Sequence, residues 1–84
     1  MSGPSVLVTG AAGDVGRLTL DALVARRDEL TRIVALDISE VPLGTRHQGV
    51  EYVVSDVTID DLDELMRSRV IDTVVHLASI VRVP

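Results

Sequence analysis

The 84 residues are enough for one small domain, and what they lack limits its chemistry: there is no Cys, Lys, Trp or Phe, and a single Tyr. Without Cys there is no disulfide framework, thiolate nucleophile or Cys-ligated metal, and without Lys there is neither a Gly-Lys-Ser/Thr phosphate loop nor a Schiff base. Thirteen acidic residues against eight scattered Arg give a net charge of −5, which, with no aromatic platform for bases, argues against nucleic acid as a partner.

Ser5-Val6-Leu7-Val8-Thr9 is short, β-branched and not alternating, which predicts a first strand buried on both faces, as in a parallel sheet. The glycine-rich turn Gly10-Ala11-Ala12-Gly13 follows, and a helical pattern then runs from Asp14 to Arg27. Val15, Leu18, Ala22 and Ala25 recur every three or four residues as its apolar stripe, widened by Leu20, Leu23 and Val24. Asp14 in the first turn and Arg26-Arg27 in the last would match the helix dipole at both ends. Ile33 to Ile38 reads as a second buried strand, and residues 39–49, with Pro42, Gly44 and Gly49, as a connection with at most a helical turn. Val50 to Val54 reads as a third strand at a sheet edge. Thr58-Ile59-Asp60-Asp61 resembles a capping box that opens a second helix, with Ile59, Leu62, Leu65 and Met66 as its stripe and Arg67 and Arg69 near its end. Ile71 to Leu77 reads as the fourth strand.

Alternating strands and helices predict a parallel α/β sheet. Right-handed crossovers place strand one between strands two and four, so the expected order is 3-2-1-4, the N-terminal half of a doubly wound sheet. At 46% apolar residues the chain is expected to fold rather than remain disordered. Its apolar runs are too short for a membrane span, and the N-terminus lacks the charged and apolar regions of a signal peptide, so the cytoplasm is the expected compartment.

The sharpest signal is Thr9-Gly10-Ala11-Ala12-Gly13-Asp14-Val15-Gly16 between a strand and a helix. Gly10 would take backbone angles closed to other residues, Gly13 would let the backbone approach a pyrophosphate, and Gly16 would let the helix lie close to the strand. Amides around Asp14 and Val15 at the helix start would point at the phosphates. Asp37 ends the second strand about 20 residues after the last glycine, where a ribose-binding carboxylate is expected. A tight turn in any α/β domain would leave the glycines without a ligand, and the strand–turn–helix context with Asp37 favours a nucleotide over that reading. An S-adenosylmethionine methyltransferase could share the turn and the acidic strand end, and the spacing Thr9-Gly10-x-x-Gly13-x-x-Gly16 with the later His76-Leu77-Ala78 argues against it.

The spacing G-x-x-G-x-x-G is one residue longer in its first gap than G-x-G-x-x-G, and resembles the TGxxGxxG of extended short-chain dehydrogenases/reductases, the NAD-dependent epimerase/dehydratase group. Asp37, Asp56-Val57 after strand three and His76-Leu77-Ala78-Ser79, similar to that family's His-Leu-Ala-Ala, follow in order. The resemblance implies a Rossmann sheet and an NAD site built from Gly10, Ala12, Gly13, Asp14, Val15, Gly16, Asp37, Ile38, Asp56, Val57, Leu77, Ala78 and Ser79. In it Asp37 meets the adenosine ribose hydroxyls and Asp56-Val57 flanks the adenine, and Ser79 lines the ribose through its backbone rather than acting as a nucleophile. A carboxylate at position 37 accepts hydroxyls and faces a 2′-phosphate with like charge, so NAD is expected over NADP.

The remaining tempting side chains have plainer readings: His76 in the core, His47 exposed in the connection, Arg17 on a solvated helix face, Tyr52 packing in its strand with no basic partner in sequence. Asp60, Asp61, Asp63 and Glu64 are read as first-turn helix acids rather than a metal site. The family's catalytic Tyr-x-x-x-Lys has no counterpart, since Asp56 stands four residues after Tyr52. No catalytic residue is therefore assigned, and residues 1–84 are expected to be a partial NAD-binding domain of a longer enzyme, its substrate, a small molecule such as a nucleotide sugar or sugar acid, held by a further C-terminal region. A non-catalytic dinucleotide-binding or sensor module is the alternative. Homo-oligomer formation is one way of covering the edge that strand four would leave unpaired.

Overall fold

The computed structural model describes residues 3–56 and 59–77. The β-branched and aliphatic runs form four strands, β1 (Ser5–Thr9), β2 (Arg32–Asp37), β3 (Val50–Val54) and β4 (Thr73–His76), with helices α1 (Asp14–Ala25) and α2 (Ile59–Ser68) between them. The strands lie in the order β3-β2-β1-β4 and every pair is parallel, as the crossover rule requires. Register follows the apolar match: Val6 faces Ile33, Leu7 faces Val34 and Val8 faces Ala35. The connection from β2 to β3 contains only a single helical turn, at Leu43–Thr45.

Side chains of β1 and β2 alternate between two layers, as the two-residue period of a strand dictates. Val6, Val8, Ile33 and Ala35 meet Leu20, Leu23 and Val24 of α1, together with Val50 and Tyr52. Leu7, Val34 and Leu36 meet Leu62, Leu65 and Met66 of α2, with Val53 and Ile71. Leu7, Val8 and Val34 are fully buried, each contributing about 1.5–3 kcal/mol of burial. The edge strands are less covered, and β4 ends at residues 73–76 rather than spanning 71–77. Ile71 is instead turned into the α2 layer, while Leu77 still donates its amide to the Thr9 carbonyl at 3.1 Å. Asp72 fastens the start of this edge: its two carboxylate oxygens accept the Ser5 amide at 3.2 and 3.3 Å.

Helix α1 differs from expectation in rotation and length. Val15 and Leu18 are 62% and 64% exposed, and Ala22 and Ala25 are exposed as well. The core-facing line is Gly16, Leu20, Leu23 and Val24. Gly16 sets that rotation, because a Cβ there would stand 2.3 Å from the Gly10 carbonyl oxygen and 2.7 Å from the Ala11 Cα. The helix start is thus pressed on the turn rather than on the strand, and the 100° step of an α-helix carries Leu20 and Leu23 inward and Leu18 outward. The helix stops at Ala25; Arg26 is its C-cap and Arg27 opens a separate single turn, so neither is in the last helical turn.

Arg67 falls in the last turn of α2 and Arg69 just beyond it. Thr58, expected to cap this helix, lies outside the described residues. The helix is halted by Val70, at φ 53°, with the Ile71 amide bonded to the Met66 carbonyl at 2.8 Å and the Val70 amide to Arg67. This is the left-handed closing geometry that usually employs glycine.

Candidate functional site

At the carboxyl ends of β1 and β2 the chain builds its glycine turn, and the three glycines have three different reasons. Gly10 has φ 73°, a conformation in which a side chain is strained. Gly16 is required by its contact with the turn's backbone. Gly13 is required by neither: its angles are an ordinary φ −78° and ψ 172°, and a Cβ would meet only the Gly10 oxygen, at 3.7 Å. Gly13 is also the N-cap of α1 and brings no capping side chain, so the first-turn amides of Asp14 and Val15 are left for an external acceptor.

Asp37 stands beside this turn with its carboxylate already engaged. Oδ2 accepts the Ala12 amide at 2.9 Å and Oδ1 accepts the Ser39 amide at 2.9 Å. Its backbone carbonyl accepts the Ser55 amide at 3.0 Å, which draws the segment after β3, including exposed Asp56, to the same rim. Ile38, next in the chain, is 69% exposed, an apolar surface at the mouth of the site. The structure thus gathers Gly10, Ala12, Gly13, Asp14, Val15, Gly16, Asp37, Ile38, Asp56 and Leu77 at one end of the sheet. Val57, Ala78 and Ser79 lie outside the described residues.

On the α1 flank of the turn a cleft of about 170 Å³ is lined by Ala12, Gly13, Asp14 and Arg17 on one side and Val41, Pro42, Thr45, His47 and Tyr52 on the other. It is smaller than the roughly 300–1,000 Å³ of a pocket that encloses a whole ligand. Arg17, read from sequence as a solvated position, is exposed and borders this cleft.

Two plain readings, His47 and His76, need correction, and Tyr52 gains a neighbour. His47 is half-buried rather than exposed: its Nε2 lies 2.6 Å from Asp21 Oδ1, and its amide donates to the Tyr52 hydroxyl at 2.8 Å. Tyr52 packs as expected but has a basic neighbour, the Arg46 guanidinium 5.2 Å from its ring centroid, a cation–π arrangement. Sequence reasoning missed this Arg46-His47-Tyr52 knot; the six-residue gap from Arg46 to Tyr52 across a Gly49 turn was the available signal. His76 is exposed rather than in the core, its Nδ1 sharing a 2.7 Å hydrogen bond with Thr9 Oγ1. In α2, Asp63 pairs with Arg67 at 3.0 Å, the ordinary spacing of a solvated helix face. Among the described residues no group of three or more His, Cys, Asp or Glu could hold a metal ion, and no helix is long and apolar enough to cross a membrane.

Comparison with known proteins places this arrangement in context. The model of the NAD dependent epimerase/dehydratase family matches residues 6–84. A comparison with curated proteins returned no match. Among solved structures, the dTDP-glucose 4,6-dehydratase of Bacillus anthracis str. Ames, in complex with NAD, is similar with a TM-score of 0.75 at 19% identity, over 92% of this chain and 27% of that one. The UDP-glucose 4-epimerase of Thermus thermophilus, also in complex with NAD, has a TM-score of 0.71 at 26% identity, over 90% of this chain and 24% of that one. The L-threonine dehydrogenase of Clostridium difficile has a TM-score of 0.72 at 24% identity, over 96% and 25%. The chain spans about a quarter of the length of these structures.

Proposed function

Because the chain belongs to the NAD dependent epimerase/dehydratase family, we propose that its glycine turn, the start of α1 and Asp37 hold the adenosine diphosphate part of NAD. One observation carries this reading: neither backbone angle nor internal packing asks for glycine at position 13, so the missing Cβ serves a ligand. The amides of Asp14 and Val15 meet the pyrophosphate, where the partial positive charge of the helix end favours an anion. Each carboxylate oxygen of Asp37 accepts about two hydrogen bonds, so after the Ala12 and Ser39 amides each retains room for a ribose hydroxyl. A 2′-phosphate in that place meets an anion instead, which supports NAD over NADP. By resemblance to the family, Asp56-Val57 would flank the adenine and Ser79 would line the ribose through its backbone, with Ile38, Leu77 and Ala78 among the cofactor-binding residues.

Residues 1–84 are, in this reading, part of the NAD-binding domain of an oxidoreductase, epimerase or dehydratase. A sugar-type substrate, a nucleotide sugar or a sugar acid, is supported by the dTDP-glucose and UDP-glucose enzymes above. NAD, when bound, supplies a hydride acceptor for a substrate carbinol. The chain supplies the cofactor's seat and not the proton transfer: it has no Lys, and its one Tyr is committed to His47 and the core. The 84-residue chain alone is therefore inactive.

Calorimetric titration of the wild type and Asp37→Ala with NAD and with NADP tests the reading. Hydrogen bonds to a charged acceptor are worth about 1.5–3 kcal/mol, so Asp37→Ala lowers NAD affinity about tenfold or more and NADP affinity much less. Equal losses for the two cofactors would overturn the assignment of Asp37 and the choice of NAD.

A further inference from the structure

We infer that Asp37 is a positioning residue for the glycine turn and the β2–β3 connection at the rim of the site, and not only an acceptor for ribose. Three loops leave the carboxyl ends of neighbouring parallel strands here. The β2–β3 ladder itself reaches the first residue after β3, and the side chain of residue 37 adds bonds to the other two loops. Oδ2 holds the Ala12 amide in the middle of the glycine turn. Oδ1 holds the Ser39 amide two residues on, an Asx-type turn that sets the direction of the β2–β3 connection. The backbone carbonyl holds the Ser55 amide after β3. The two carboxylate bonds need both oxygens, so the side chain cannot swing away from the ribose position without releasing the glycine turn or the connection.

The chain's own hydrogen bonds hold turn and acceptor in one geometry, which lowers the ordering cost of binding a dinucleotide. It follows that removing the carboxylate harms more than ribose recognition, because the phosphate turn loses its Ala12 tether to β2 and is left with the Ala11 amide on the Leu36 carbonyl, at 3.1 Å. Asparagine restores half of the arrangement. Its single carbonyl oxygen accepts one of the two amides, and its NH₂ presents a donor to the other.

Two measurements test the inference, and only the second rests on the proposed cofactor reading. The first is residue-resolved amide exchange on the ligand-free 84-residue chain. Asp37→Ala is expected to speed exchange at Ala12 and Ser39 by about threefold or more, with the Leu7 and Val34 core amides unchanged. Asp37→Asn is expected to restore protection at one of the two amides, and it carries the comparison should Asp37→Ala also lose protection in the core. Unchanged exchange at Ala12 and Ser39 in both variants overturns the inference.

The second measurement compares adenosine 5′-diphosphate with its 2′,3′-dideoxy form. A residue that only meets hydroxyls makes no difference to the dideoxy ligand, whereas the positioning role lowers its affinity for Asp37→Ala by about threefold or more. An unchanged dideoxy affinity also overturns the inference. Should the wild type bind neither ligand, the cofactor reading fails while the exchange result still decides whether Asp37 positions the rim.

Discussion

The sharpest consequence of the glycine geometry is that two substitutions three residues apart, Gly13→Ala and Gly16→Ala, fail in different ways. At position 16 a methyl group would sit 2.3 Å from the Gly10 oxygen and 2.7–2.8 Å from two Ala11 backbone atoms. All three neighbours are backbone, so no side chain can turn aside, and the start of α1 must lift by about 1 Å to reach ordinary contact. Overpacking of this kind costs about 1–3 kcal/mol, offset by up to about 1 kcal/mol because alanine favours a helix. A net loss of about 1–2 kcal/mol lowers the midpoint of thermal unfolding by roughly 5–15 °C in a domain of this size. At position 13 the nearest atom to a new methyl is 3.7 Å away and the angles suit any residue, so stability is held to within about 0.5 kcal/mol. That methyl instead stands where the proposed pyrophosphate would approach, and NAD affinity is expected to fall about tenfold, equivalent to about 1.4 kcal/mol. Circular dichroism melts and calorimetric titration of both variants separate the two effects. Gly13→Ala losing as much stability as Gly16→Ala, or Gly16→Ala losing none, would refute the reasoning.

The rotation of α1 is checked by Leu20→Ala, which opens a cavity in the buried face and costs about 2–4 kcal/mol, against Leu18→Ala, which at 64% exposure costs less than about 0.5 kcal/mol in urea unfolding. Val70→Gly relieves a β-branched residue held at φ 53° with 76% of its surface in solvent; it is expected to raise the unfolding free energy measured in urea by about 0.5–1 kcal/mol once glycine's greater unfolded freedom is counted. Arg69 donates to Glu51 through Nε at 2.8 Å and, with its charge, holds the Glu51 carboxyl below its ordinary value of 4.5. A depressed carboxyl stabilises the fold above its unfolded pKa, and that contribution fades as pH falls through the lowered folded pKa. Glu51→Gln therefore reduces stability at pH 7 by no more than the few tenths of a kcal/mol typical of an exposed pair, and the difference from wild type vanishes at lower pH. A difference that persists unchanged at pH 2 would contradict this assignment.

The strands and their order were legible because their code is local: β1 and β3 begin and end where their apolar runs do, and right-handed crossovers leave β1 one place in the sheet. The glycine turn and Asp37 were legible for the same reason, as spacing between a strand and a helix. The rotation of α1 was not, because apolar residues surround that helix and two stripes compete. Val15, Leu18, Ala22 and Ala25 carry as regular a period as Leu20, Leu23 and Val24, and the residue that decides between them is Gly16, which no hydropathy pattern counts. The Arg46-His47-Tyr52 knot and the His47–Asp21 contact were hidden because they join the β2–β3 connection to β3 and α1, a tertiary meeting that periodicity does not encode. The second task of Asp37 was hidden likewise, since a carboxylate's position in sequence says nothing of which amides face it.

This end of the sheet is proposed to seat the adenosine diphosphate part of NAD. Amide nuclear magnetic resonance of the isotope-labelled 84-residue chain, titrated with NAD, addresses it most directly. Shifts are expected to concentrate at Gly10, Ala12, Gly13, Asp14, Val15, Asp37 and Ile38, with Glu51, Leu65 and Arg67 unmoved. A saturating titration that leaves the glycine turn and Asp37 unshifted would contradict it.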